Sequence, residues 1–216
     1  MNLNSISKKI DSVTVKTVPI KLKNSYYLIV RREWKVRKII LILCAIVLIL
    51  LIILLNFTNI QKLIYRQDYS EYVEKYAKEN NIDSLLVYAI IKAESNFDDD
   101  AVSNKGATGL MQLMNETAEE VAQNESIEFV SNDSLYNPEI NIQIGVTYFA
   151  NLLEIFGNVA IALAAYNAGM GTVQSWIDDG IIKADGSDIE NIPYKDTNMY
   201  VRKILNDYEI YKKLYQ

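Results

Sequence analysis

The sequence predicts an all-α protein, in which a helical domain with a cleft over residues 69–216 follows a single transmembrane helix. Three observations support this. An unbroken apolar run covers Ile39–Leu55. Helix caps and stops recur beyond it, at Asp83, Asn137-Pro138 and Gly157. Alternating apolar and polar residues, the mark of half-buried strands, are scarce.

Residues 1–38 form a basic N-terminal tail. They hold ten Lys/Arg against Asp11 and Glu33, a net of +8; the remaining twelve Lys/Arg and 25 Asp/Glu give −13, which together make the chain's −5. The acidic bulk excludes nucleic acid as a natural partner. Residues 39–57 read as the membrane helix. The core run, IILILCAIVLILLIILL, has 17 residues and covers ~25 Å of a hydrocarbon core ~30 Å thick. Trp34 and Phe57 suit the two interfaces, and snorkelling Arg37 and Lys38 cover the deficit. Arg31, Arg32, Lys35, Arg37 and Lys38 precede the run, whereas Lys62 and Arg66 are diluted by Asp68, Glu71 and Glu74. The positive-inside rule therefore puts the N-terminus in the cytoplasm and the rest outside, a single-pass protein of the cell membrane. A cleaved signal peptide fits less well, because the basic stretch is long and Leu54-Leu55-Asn56-Phe57 offers no small-x-small site.

Residues 58–68 read as a linker and 69–216 as the main domain. Helix formers fill 69–79. Asp83 caps a helix to about Ser95, and Asn115 caps a short one through Ala122. Asn137-Pro138 opens a helix that Gly157 stops. Residues 158–168 are an Ala-rich helix, followed by helices over 171–178 and 197–213. Segments 131–137 and 180–196 are polar loops suited to lining a groove.

The chain contains no histidine, which excludes a Ser-His-Asp triad, a Cys-His pair and His-ligated zinc. Cys44 is the sole cysteine, so no internal disulfide forms. No metal-ligand cluster or Gly-rich phosphate loop is present. Chemistry must rest mainly on carboxylates, hydroxyls, amides, Lys or Tyr.

Glu94 is the leading candidate. In SLLVYAIIKAES, Leu85, Leu86, Ala89, Ile90 and Ala93 form an apolar stripe, and Glu94 continues it at steps of four from Leu86 and Ile90. It also sits in the last turn, where the helix dipole disfavours negative charge. Burial and dipole both raise a carboxyl pKa, as a general acid requires. Cleavage of a glycosidic bond needs such an acid. The same pattern also fits a glutamate at the rim of a core, satisfied by backbone N–H groups.

Four segments occur in order: AIIKAESNF, AVSNKGATGLMQLM, ALAAYNAG and ENIPYKDTNMYV. Together they resemble the catalytic domain of soluble lytic transglycosylases, the goose-type-lysozyme-like enzymes that cleave peptidoglycan, over roughly residues 70–210. The resemblance implies a lysozyme-like helical fold with a substrate groove. It implies that Glu94 is the sole catalytic acid/base, with no metal and no organic cofactor. It places Ser103 near the cleaved sugar and Gln112 and Met114 in the groove. Tyr166 and Asn167 match the motif facing the glutamate, and Tyr200 a tyrosine near the cleavage point. Glu190 also has a counterpart. Met114 is equally compatible with core packing, Tyr166 with a core-filling role and Ser103 with a plain turn. Asn115 and Met170 replace prolines common in the family. Asp196 and Asn198 replace glutamate and arginine, which leaves any ion pair bracing Tyr200 in question.

A conventional glycosidase uses two carboxyls. The nearby candidates, Asp98, Asp99 and Asp100, read as a solvated acidic loop. The resemblance implies that one carboxyl suffices: Glu94 protonates the oxygen between N-acetylmuramic acid and N-acetylglucosamine, then removes the C6 hydroxyl proton, giving a 1,6-anhydro end. Two other readings remain at this point. One is a muramidase-type hydrolase on the same fold. The other is a non-catalytic wall-binding scaffold in an envelope secretion or conjugation complex. The implied partners are peptidoglycan strands, the membrane and an envelope protein complex.

Overall fold

The helices follow from local signals that appear one after another along the chain. A computed structural model describes residues 25–216, and the first part of the basic tail lies outside them. The chain divides into two units at the Phe57–Thr58 boundary, and each is described by itself.

In the first unit, α1 runs Ser25–Leu55. It starts well before the apolar run, so the C-terminal part of the basic stretch is helical. Val36–Leu55, 20 residues, is long and apolar enough to cross a membrane. At ~1.5 Å per residue that length matches a ~30 Å core, so the deficit expected from the 17-residue run disappears. Phe57 belongs to the next helix and not to the span.

α2, Phe57–Ile64, lies in the second unit from Thr58 onward, where a linker was expected. Phe57, Ile60, Leu63 and Ile64 recur at helical spacing, a periodicity that so short a segment barely displays. α3 is Ser70–Glu79 and α4 is Ser84–Glu94. Asp83 caps α4 as expected, its carboxylate accepting the Leu85 N–H at 2.9 Å. α5 is Asn115–Glu125, and here the expectation needs correction. Met114 is the cap residue, and Asn115 is the first helical residue, its amide donating to Glu119 at 2.7 Å. α6, Pro138–Phe156, is capped by Asn137 and stopped by Gly157 at φ 63°. α7 is Val159–Ala168, capped by Asn158; α8 is Met170–Asp178; α9 is Lys195–Tyr215. Residues 131–137 are not a plain loop. They contain a 3-10 turn, Asn132–Tyr136, closed by reciprocal Ser131 and Ser134 contacts. A second turn, Ile189–Asn191, interrupts 180–196. No strand is present among the described residues, so the all-α class holds; in the loop 101–114 strand-like pairing is limited to isolated bridges, Val102 to Thr108 and Thr108 to Leu113.

α4 is the centre of this unit. Leu85 through Ile91 are all buried, so the expected stripe is part of a helix enclosed on every side. α9 and α3 pack against it, while α6, α7, α8 and α9 are linked through α7. Ala160, Ala162, Ala164 and Ala165 of α7 are buried, and their small side chains let neighbours approach closely. Gly145 on α6 makes the same kind of approach, since a Cβ there would lie 2.4 Å from the Met111 sulfur.

Candidate active site

Glu94 ends α4, and the chain turns sharply behind it. Asn96 and Phe97 both take left-handed φ, 52° and 66°. Ser95 secures this turn: its hydroxyl donates to the Leu110 carbonyl at 2.9 Å and accepts the Phe97 N–H at 3.1 Å. Glu94 is half-buried. Burial pushes its carboxyl up to about 7 from the usual 4.5, against a hydrogen bond from Tyr200 and the charge of Lys203, which both act downward. The mechanism inferred from the helix position is thus dominated by desolvation.

Tyr200 projects from the first part of α9, and its hydroxyl donates to Glu94 Oε1 at 2.5 Å. Burial raises the Tyr200 and Tyr166 hydroxyls well above the ordinary tyrosine range, and the Glu94 charge adds to both effects. These two tyrosines therefore remain proton donors. Tyr166 donates to the Met111 carbonyl at 2.8 Å, with its ring against Tyr148 and Phe149. It ties α7 to the loop 101–114. Asn167 is exposed, and its Oδ1 accepts the Thr197 hydroxyl at 2.8 Å, which joins α7 to α9 one turn before Tyr200.

The other expected residues sit on the 101–114 loop. Gln112 adopts φ 47°, and its amide nitrogen donates to the Ala101 and Gly109 carbonyls, both at 3.0 Å. That nitrogen braces the loop. Ser103 likewise serves its own turn, accepting the Ala107 N–H at 3.0 Å and the Lys105 N–H at 3.3 Å. Met114 is 45% exposed, which removes the core-packing reading for it. Asp98 and Asp100 are exposed, in keeping with a solvated loop, whereas Asp99 is half-buried and hydrogen-bonded to Tyr69; Glu190 is exposed as well. Where the family has an arginine, Asn198 donates to the Ile189 carbonyl at 2.5 Å and accepts from Arg202 Nε at 2.9 Å.

Two contributors, Asn141 and Lys203, escaped the sequence reading. Asn141 is fully buried on α6; it accepts the Met111 N–H at 2.8 Å and donates to the Thr108 and Leu135 carbonyls at 3.0 and 2.9 Å. Its only sequence signal is an amide in the apolar run EINIQIGV. Gly109 packs on it so tightly that a Cβ would lie 2.2 Å from the Asn141 amide, and its φ is +77°. Lys203 donates to the Ala93 carbonyl at 3.3 Å, placing a cation at the negative end of α4. Among the described residues no acid/Cys cluster suited to a metal is present.

The chain was then compared with known proteins. The family model described as the transglycosylase SLT domain matches residues 71–185. The soluble lytic murein transglycosylase of Salmonella typhimurium is 35% identical over 140 residues, covering 63% of this chain and 22% of the relative. The membrane-bound lytic murein transglycosylase F of Desulfosudis oleivorans is 37% identical over 109 residues, 47% of this chain and 22% of the relative. The chain thus spans about a fifth of the length of these relatives. Among solved structures, an inactive mutant of the lytic transglycosylase Slt from Pseudomonas aeruginosa aligns with a TM-score of 0.65 at 36% identity, covering 70% of this chain and 25% of that one. The 70 kDa soluble lytic transglycosylase of Escherichia coli aligns at 0.64 and 30% identity, with 69% and 25% covered. The helical unit built around Glu94, matched by this family model over more than half of its chain, belongs to the transglycosylase SLT domain family.

Proposed function

We infer that the protein is a membrane-anchored lytic transglycosylase that cleaves the β-1,4 bond between N-acetylmuramic acid and N-acetylglucosamine in peptidoglycan. The observation that carries this is the half-buried Glu94 carboxyl, pushed up to about 7 and gripped by Tyr200. A carboxyl with that affinity donates and recovers a proton near neutral pH at little cost. Tyr200 occupies Oε1, so the transferable proton sits on Oε2. Glu94 gives that proton to the glycosidic oxygen as the muramic C1–O bond breaks, and the substrate's acetamido oxygen stabilises C1. The Glu94 carboxylate then takes the C6 hydroxyl proton, and the C6 oxygen closes on C1. The product is a 1,6-anhydro ring; no water is consumed and Glu94 ends protonated.

Around this centre, Ser103, Gln112, Met114, Tyr166, Asn167 and Tyr200 form the proposed groove. Residues 1–38 form the cytoplasmic tail, 39–57 the membrane region and 69–216 the extracytoplasmic domain. The apolar helix and the membrane-bound relative support the anchor; the flanking charges support the orientation. Mass spectrometry of peptidoglycan digested by the purified protein tests the assignment. Anhydro ends support it. Reducing ends would instead indicate a hydrolase, and strand binding without products a scaffold.

Tyr200→Phe supplies a second test. The lost hydrogen bond favours ionised Glu94, so its removal raises the Glu94 pKa further. The alkaline limb of the rate profile should move to higher pH while kcat falls about tenfold. An unmoved limb would contradict the assigned contact.

A further inference from the structure

The chain just N-terminal to the family-matched region is built into the back of the active site. The family model begins at residue 71. Arg66 lies before it, yet its guanidinium donates to the Asn96 carbonyl at 2.6 Å. Asn96 is two residues beyond Glu94, in the left-handed turn described above. The guanidinium also lies over the Phe97 ring, 5.1 Å from its centre, and Arg66 Nε pairs with Asp68 at 3.0 Å. One side chain therefore holds both residues of the strained turn. Non-glycine residues in that conformation are strained and persist only when their surroundings hold them.

The backbone carrying Arg66 is itself fastened. The Tyr211 hydroxyl donates to the Arg66 carbonyl at 2.8 Å and the Tyr215 hydroxyl to the Tyr65 carbonyl at 2.7 Å. Tyr65 in turn donates to Asp207, whose other oxygen pairs with Lys92 at 2.9 Å, one turn from the end of α4. This pair is nearly buried, with side-chain exposures of 12% and 6%. A covalently continuous segment thus grips the last turn of α4 and the turn after it, from two sides.

We propose that Arg66 is a positioning residue for Glu94, and that residues 65–68 fix the catalytic helix end by clamping the Asn96-Phe97 turn. This rests on the assignment of Glu94 as the acid/base. The segment connects the domain to the chain's apolar helix, so the part that tethers the enzyme is also a part that sets its geometry. A carboxyl displaced by a fraction of an ångström still binds substrate nearby but transfers protons poorly.

The test compares the full chain with Arg66→Ala and Arg66→Lys in detergent. Hydrogen exchange is followed over residues 93–99 and over α6, and kcat and KM are measured for release of anhydro products. Positioning predicts faster exchange at 93–99 alone, kcat lowered about tenfold with KM within about twofold, and partial recovery in Arg66→Lys. Unchanged exchange at 93–99, or unchanged kcat, would overturn the proposal, as would acceleration spread equally over α6, the sign of general loosening. Absence of anhydro products from the unsubstituted chain would instead refute the activity, and the exchange comparison would still decide whether Arg66 holds the turn.

Discussion

Glu94→Gln is expected to abolish glycan cleavage, with kcat lowered at least about a thousandfold, while strand binding persists. A general acid contributes roughly 10²–10⁴-fold, and in the proposed mechanism the same group also serves as the base, so the loss falls in the upper part of that range. Glutamine preserves the shape and can still accept the Tyr200 hydroxyl, but it has no proton to exchange. Activity in the variant within tenfold of the parent would refute the role. The substitution has a second consequence. Folding raises the Glu94 pKa from 4.5 to about 7, so the folded state holds this proton more tightly than the unfolded chain. Stability from this group is therefore full below about pH 4.5, declines as pH rises toward about 7, and is level above that. The variant lacks this decline. Urea midpoints should show Glu94→Gln gaining on the parent between about pH 5 and pH 8, and a relative loss would contradict the shift. The same ionisation limits catalysis, since the cycle starts from the protonated acid: activity should fall on the alkaline side with an apparent pKa near 7.

Asn141→Ala is expected to cost about 3 kcal/mol of stability. The variant leaves the Met111 N–H without its side-chain acceptor, removes the donors to the Thr108 and Leu135 carbonyls, and opens a small cavity. An unsatisfied buried donor costs ~1–3 kcal/mol and each lost neutral hydrogen bond ~0.5–1.5. The Thr108 carbonyl keeps the Leu113 N–H, so its share is small. For a domain of this size the sum corresponds to a fall in Tm of roughly 6–12 °C. Activity should drop with it, because Asn141 holds the loop that carries Ser103, Gln112 and Met114. Calorimetry showing a shift under about 2 °C would refute the structural weight given to this residue.

The helices could be read from the chain because their signals are local. Asp83 and Asn137 each cap the helix they precede, and Gly157 ends α6 with a backbone conformation that suits glycine, while Asn158, expected inside the next helix, is its cap. Asn115 misled for a related reason. Its residue type suits a cap, but Met114 holds the cap position because the preceding loop delivers the chain one residue earlier. α2 was missed because eight residues barely display a period.

Glu94 was the most legible part of the site, since its place on an apolar face required only the helical repeat. Its environment was not. Tyr200 lies 106 residues away, and the Tyr166 bond to Met111 spans 55. Sequence alone settled the helical class and the apolar run and singled out Glu94 as a candidate, because caps, turns and periodicity act between residues a few positions apart. Tertiary structure decided which oxygen Tyr200 grips, how far desolvation raises Glu94, that Asn141 holds the loop, and that Arg66 reaches the turn behind the acid. Those outcomes depend on which distant side chains the packing brings within hydrogen-bond range, and no local pattern encodes that.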